Sequence, residues 1–240
     1  MQIKFKLISL NVGAYNLSQK QLRFFLKEQP DILCLQEITK DDFLCWKREL
    51  GMHGVYVSTY LNQKIDSGLA MLSRFPITKT RSLKYGSPKV LWKQGGKERS
   101  CRETSNRILQ IVNIMFPLGA EVQIGNIHFT WSPLGMPSAL QKKHAANLRI
   151  LMMGLGSVIL CGDLNTPRGG EIFSSILADY TDHIPLKYKT SIDGRIHRAG
   201  PLKLMVDTIF SSPNYESHEV RMVSGFSDHR AIVGIIRAKS

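Results

Sequence analysis

Apolar residues in this chain come in short runs separated by Gly, Pro, Asn and Asp. Runs rich in Ile, Val, Leu and Phe predict strands over residues 3–11, 31–36, 68–73, 108–115, 121–130, 158–162, 205–211, 216–223 and 231–237. Helical spacing is clearest in two places. "SQKQLRFFLKEQP" begins at Ser18, has Gln21 three residues later and stops before Pro30, the pattern of a capping box opening a helix. "SALQKKHAANLRILMM" repeats the pattern with Ser138 and Gln141, and its Leu140, Leu148, Leu151 and Met152 recur at helical spacing. Weaker helical patterns cover 41–50 and 171–178. Strands outnumber helices and helices fall between them, which predicts an α/β domain with two sheets and helices outside. No repeat, low-complexity segment or linker-like shift divides the chain, so residues 1–240 are expected to form one domain.

Two stretches fit neither period and are expected to be long loops. Residues 81–107 carry Arg81, Lys84, Lys89, Lys93, Lys97, Arg99, Arg102 and Arg107 around Trp92, opposed only by Glu98 and Glu103. A basic loop with an aromatic can follow a phosphate backbone and stack on a base, so Arg81, Lys84, Lys89, Trp92, Lys93 and Arg102 are candidate nucleic-acid contacts. A solvated loop is the equal alternative. The second stretch, 183–204, is also basic, and loops of this length in compact domains are often functional.

Charge sharpens this picture. Lys plus Arg is 32 against 19 Asp plus Glu, a net charge of +13 over 240 residues. That excess favours a polyanionic partner such as nucleic acid, an acidic membrane or a phosphorylated substrate. The N-terminus reads as a strand and not as a signal peptide, and no apolar run is long enough to span a bilayer. Cys34 and Cys161 sit inside apolar runs, where a free thiol packs as a small hydrophobe, and no CxxC spacing points to zinc. A cytoplasmic monomer in a reducing setting is the simplest expectation.

Polar residues recur at the ends of the apolar runs. "LISLN" ends in Asn11, "DILCLQE" in Gln36 and Glu37, "VQIGNIHF" carries His128, and "VILCGDLN" gives Asp163 and Asn165. "LMVDTIF" places Asp207 inside an otherwise apolar strand, and "FSDHR" puts Asp228 and His229 before the last one. Singly, each reads more readily as a turn or cap than as a site. Asp207 is sharper, because an acid among Met, Val, Ile and Phe must be paired or exposed. Together they form one toolkit. Hard oxygen ligands such as Glu37 suit Mg²⁺ or Mn²⁺. A carboxylate or imidazole can orient a water and take its proton, and amide and imidazole donors stabilise charge on phosphate oxygens. That set points to metal-assisted hydrolysis of a phosphate ester.

The ordered series "SLNV", "LCLQE", "SGLAMLSRFP", "GNIHF", "CGDLNTP", "MVDTIF" and "SDHRA" resembles the endonuclease/exonuclease/phosphatase superfamily from about residue 3 to 237. The resemblance implies a four-layer α/β/β/α sandwich of two mainly antiparallel sheets, and Mg²⁺ or Mn²⁺ as cofactor. It implies that Glu37 is the principal metal ligand with Asn11 beside it and Asp228 near the metal. It implies that Asp163 activates the attacking water and Asn165 binds the phosphate. His229 and His128 would contact phosphate oxygens, and Asp207 would orient His229. Gly13 stands where several DNA-repair members carry an aspartate, and "GNIHF" has isoleucine before its histidine. The leading expectation is a metal-dependent nuclease. A sphingomyelinase-like or small phosphomonoester or inositol phosphate hydrolase is the alternative; against it, no aromatic-aliphatic hairpin for lipid is evident. A non-catalytic nucleic-acid-binding protein on a degenerate nuclease fold is the third reading.

Overall fold

Along β1 (Lys4–Asn11), Phe5 and Leu7 are buried in one apolar cluster while Ile8 and Leu10 are buried in another. The two-residue period of a strand forces this split, since successive side chains point to opposite faces. The same alternation runs through β2 (Ile32–Thr39), β7 (Glu121–His128) and β8 (Val158–Asp163), and it sorts the core into layers. The computed structural model of the protein describes residues 3–13, 17–61, 66–87 and 106–239.

The remaining strands are β3 (His53–Leu61), β4 (Asp66–Ser73), β5 (Ile77–Gly86), β6 (Arg107–Met115), β9 (Thr181–Asp182), β10 (Asp207–Ser211), β11 (Tyr215–Val223) and β12 (Ala231–Ala238). They form two six-stranded sheets, ordered β11-β12-β1-β2-β4-β3 and β5-β6-β7-β8-β10-β9. β1–β2 and β7–β8 are parallel, and the other pairs are antiparallel. Phe5, Leu7, Ile32, Cys34, Ile124, Ile159, Cys161 and Ile209 fill the space between the sheets. Helices α1 (Ser18–Glu28) and α2 (Lys40–Glu49) cover the first sheet with Leu22, Phe25, Phe43 and Trp46. Helices α3 (Ala139–Met153) and α4 (Glu171–Ile176) cover the second with Leu148, Met152, Ile172 and Phe173. The result is the expected four-layer sandwich.

Several details depart from the sequence expectations. Ser18 does not cap α1: Leu17 holds that position without a side-chain bond, and the Ser18 hydroxyl instead donates to Asp42 and accepts from Trp46 Nε1. Ser138 does cap α3, accepting the Gln141 N–H, but the Gln141 side chain turns to the carbonyls of Thr130 and Asn165. Residues 81–86 belong to β5 and Arg107 opens β6, so the predicted loop is shorter at both ends. Arg81 and Lys84 therefore stand on an edge strand. Lys89, Trp92, Lys93 and Arg102 lie outside the described residues. Asp207 is the first residue of its strand and not an interior one.

What positions the site is a change of character along the face between the sheets. On β1 the inward row runs Phe5, Leu7, Ser9, Asn11; on β2, Ile32, Cys34, Gln36; on β7, Ile124, Asn126, His128; on β8, Ile159, Cys161, Asp163. Each row begins apolar and ends polar, and parallel pairing puts these C-terminal ends side by side, with Asn11 level with Gln36 and His128 level with Asp163. Antiparallel pairing then brings the start of β10, Asp207, level with Asp163. Beneath the polar end, Asn126 accepts from Gln36 Nε2 at 2.6 Å and donates to the carbonyls of Leu35 and Ala70, joining the two sheets. A buried amide needs such partners, because an unmade bond costs about 1–3 kcal/mol there.

Candidate active site

Asn11 is the hub. Its Nδ2 lies 3.1 Å from Glu37 Oε1 and 3.1 Å from Asp163 Oδ2, while its Oδ1 accepts the Gly13 N–H. Glu37 is presented by a bulge: β2 and β4 slip register between Gln36 and Ile38, and Glu37 takes φ 57°. A bulge of this kind re-aims one side chain without breaking the sheet. The Glu37 side chain consequently stays 42% exposed, unlike its buried neighbours.

Asp163 is 1% exposed. Its Oδ1 accepts the Asn165 N–H at 2.7 Å, the geometry of an Asx turn, and Asn165 takes φ 50° there. Asn165 Nδ2 donates to the Phe129 carbonyl, which holds the amide beside His128. Gly162 has φ 135°, and a Cβ on it would stand 1.9 Å from the Ile127 carbonyl oxygen, so the close β7–β8 approach at this point requires glycine.

The imidazoles flank Asp163. His128 Nε2 lies 3.6 Å from Glu37 Oε1 and 3.7 Å from Asp163 Oδ2. His229 Nε2 lies 3.8 Å from Asp163 Oδ2, and its Nδ1 is 2.8 Å from Asp207 Oδ2. Burial raises the proton affinity of Asp163; the two histidines oppose this and Asp207 adds to it. For His229 burial works downward, but Asp207, Asp163 and Asp228 together hold it well above the ordinary imidazole range. Asp228 accepts from Ser227 Oγ, and its carbonyl accepts the Asp193 N–H at 2.8 Å.

The donor set fits a hard divalent cation. Asp163, Asp207 and His229 each offer one ligand atom, all within 4.8 Å of one another. Yet His229 and Asp207 already engage each other at 2.8 Å, and Asp163 lies between two imidazoles, which leaves Glu37, outward-facing and held by the Asn11 amide, as the carboxylate open to a cation.

Supporting residues emerge that the sequence alone did not single out. Arg107, expected in a basic loop, is 5% exposed, and its Nη1 donates to the Phe129 carbonyl at 3.2 Å. Tyr85 donates its hydroxyl to the His128 carbonyl. Ser191 Oγ accepts the N–H groups of Val206 and Asp207, fixing the start of β10. Arg107 and Tyr85 are neighbours only through β5–β6 pairing, so no local motif marks them.

The model of the Endonuclease/Exonuclease/phosphatase family matches residues 8–229. The chain belongs to this family. It is accordingly a phosphoric ester hydrolase of a family that is generally metal-dependent. No curated protein sequence matches the chain. Among solved structures, it resembles the endonuclease/exonuclease/phosphatase from Bacteroides vulgatus with a TM-score of 0.75 at 14% identity, covering 99% of this chain and 100% of that one. It resembles ANGEL2, a 2′,3′-cyclic phosphatase solved with adenosine-2′,3′-vanadate, with a TM-score of 0.70 at 13% identity, covering 100% and 97%. It resembles the human Nocturnin catalytic domain, solved with a bound sulfate, with a TM-score of 0.68 at 18% identity, covering 98% and 96%. At these identities the likeness is one of fold. Among the described residues, no helix of this family member is long and apolar enough to cross a membrane.

Proposed function

We propose that this family member hydrolyses phosphodiester bonds in nucleic acid, with Mg²⁺ or Mn²⁺ held by Glu37 and Asp228 and with Asn11 beside them. The observation that carries the reading is the pair of carboxylate arms meeting at Asn11: an exposed Glu37 on one side, and on the other a buried Asp163 backed by the Asp207–His229 pair. The bound cation would neutralise phosphoryl oxygens and ease departure of the leaving oxygen.

The protein's own residues do the rest. Asp163 orients a water and takes its proton as the water oxygen bonds to phosphorus and the bond to the leaving oxygen breaks. Its raised proton affinity brings it nearer the range in which a base works at neutral pH. His229 is held charged, so it donates to a phosphate oxygen as negative charge builds. Asn165 and His128 offer further donors from the opposite wall. The net charge of +13 favours a polyanionic substrate, and ANGEL2, of the same fold, is named for a cyclic phosphate and was solved with an adenosine ligand.

A second reading has one observation in its favour. Leu134 and Met136 are 72% and 66% exposed, and a Cβ on Gly135 between them would press on Pro167, two residues past Asn165. An exposed aliphatic turn beside the site suits a lipid phosphodiester, and the apolar pattern of the sequence had not revealed it. The test incubates purified protein with DNA, RNA and sphingomyelin vesicles in Mg²⁺, with EDTA and Asp163→Ala as controls. Cleavage of DNA or RNA that both controls abolish is the expected result. Equal cleavage by Asp163→Ala, or release from sphingomyelin alone, overturns the reading.

A further inference from the structure

The loop between β9 and β10 is sewn to the segment that carries Asp228 and His229. Ile192 bridges to His229, Asp193 N–H donates to the Asp228 carbonyl at 2.8 Å, and Arg230 N–H donates to the Ser191 carbonyl at 2.7 Å. The Asp193 side chain is 3% exposed and accepts from Gly225 N–H at 2.7 Å and from Arg195 N–H at 3.2 Å. Arg195 then folds back onto it, with Nε 3.2 Å from Oδ1 and Nη2 3.3 Å from Oδ2. The turn is closed by Ile196 and His197 N–H groups on the Asp193 carbonyl.

This arrangement does little for stability, because an ion pair with an arm as exposed as Arg195, at 75%, contributes little in water. What it does is bias the guanidinium toward one orientation, with two contacts to a buried carboxylate. A guanidinium has five N–H groups. Two of them meet Asp193, so three face outward without a protein acceptor among the described residues. An outward fork of this kind is the geometry that takes a phosphate through paired charge-assisted bonds.

A second cation, from α1, lies beside Gly225. Lys20 Nζ lies 3.7 Å from where a Cβ on Gly225 would stand and 5.6 Å from the centre of the Phe226 ring. Phe226 is itself anchored, stacked on Phe24 at 4.2 Å and with its carbonyl accepting from Gln21 Nε2. Gly225, two residues before Ser227, thus shares the Asp193 carboxylate with Arg195 through its N–H and has Lys20 beside its Cα.

We propose that Arg195 and Lys20 form a subsite for a second phosphate of the substrate, flanking the one that reacts on the Asp228–His229 side. The inference rests on the phosphodiesterase reading above and narrows it. The preferred substrate is a chain carrying at least two phosphates, such as a single-stranded oligonucleotide, and not an isolated phosphate ester. Asp193 is the positioning residue that aims the arginine.

The experiment compares wild type, Arg195→Gln, Arg195→Lys and Lys20→Gln in Mg²⁺ on two substrates, an oligonucleotide and bis(p-nitrophenyl) phosphate. The small ester has a single phosphate and cannot reach the subsite. Arg195→Gln is expected to raise KM for the oligonucleotide about tenfold more than for the small ester, the scale of one charge-assisted contact. The slope of log affinity against log salt should fall by about one for each cation removed. Arg195→Lys should recover part of the loss. Lys20→Gln, on an exposed helix face, gives the same reading should the arginine variant fold poorly. Equal losses on both substrates, or an oligonucleotide KM unmoved in both glutamine variants, overturn the subsite while leaving the nuclease reading in place. Wild-type protein that cleaves the small ester and no oligonucleotide overturns the nuclease reading and the subsite with it.

Discussion

Asp207 acts on the reaction through His229, and its geometry says how. Its Oδ2 is 2.8 Å from His229 Nδ1, and its own backbone N–H is pinned by Ser191 Oγ, so the carboxylate is presented to the imidazole from a fixed point of the chain. Asp207→Asn keeps the shape and removes the charge. We expect kcat to fall on the order of 10²–10⁴-fold, the range for losing a positioned proton-transfer group, with KM changed far less. The pH profile separates charge from shape. A carboxylate raises the histidine, so its cationic form is lost only as pH climbs through the raised value; without that charge the alkaline fall in rate moves to lower pH. An unmoved alkaline limb in the variant would show that Asp207 only packs. Asp207 was legible in the sequence because an acid among apolar residues demands an explanation. Ser191 and Asp193 were not, since a serine and an aspartate in a loop look like turn chemistry until the fold lays them against β10 and the residue pair Asp228–His229.

At the level of elements, the site depends on strand register, and register depends on a few backbone positions. Gly162 lets β8 lie close enough to β7 for His128 and Asp163 to be level. Gly162→Ala places a methyl into the Ile127 carbonyl at a φ that alanine resists. Destabilisation of about 3 kcal/mol or more is expected from strain and clash combined, read by urea denaturation, together with loss of hydrolysis. A variant with wild-type stability would mean the strands can part without cost. The α3 cap offers a milder test. Ser138→Ala should cost about 1 kcal/mol, with an unchanged denaturant slope, because one N-terminal N–H loses its acceptor. Ser18→Ala breaks no cap, and any effect there comes from its bonds with Asp42 and Trp46. Central strands and helices were legible from apolar period alone. β5 was not: "ITKTRSLKYG" is polar at most positions because an edge strand has one neighbour and a largely exposed face, where lysine and arginine guard against edge pairing.

Over the whole molecule, the two sheets concentrate chemistry at one end of their shared face and structural packing along the rest. The loop after β9 spans both regions, since it starts at the outer edge of the second sheet and crosses to the segment bearing His229 on the first. His183 stands where that loop begins. It is 8% exposed, its N–H donates to the Ile209 carbonyl, and its Nε2 is 2.7 Å from Ser211 Oγ. Burial is the largest influence on it and lowers its proton affinity; Asp182 opposes this, and Lys239 adds to it. The folded chain therefore protonates His183 only at a lower pH than the unfolded chain, which takes up a proton near the ordinary imidazole value of about 6.5. Stability from this group is complete above that value. It is lost as pH falls through it, because the unfolded state then binds the extra proton, and the loss stops growing once pH drops below the folded value. Other groups titrate over the same interval, so the measurement is a difference. Unfolding free energies of wild type and His183→Gln, taken by urea denaturation between pH 7.5 and 5.5, should converge as pH falls, since glutamine keeps a polar partner for Ser211 but cannot take up the proton. A gap between the two that stays constant across that range would mean the imidazole is as free to titrate in the fold as out of it.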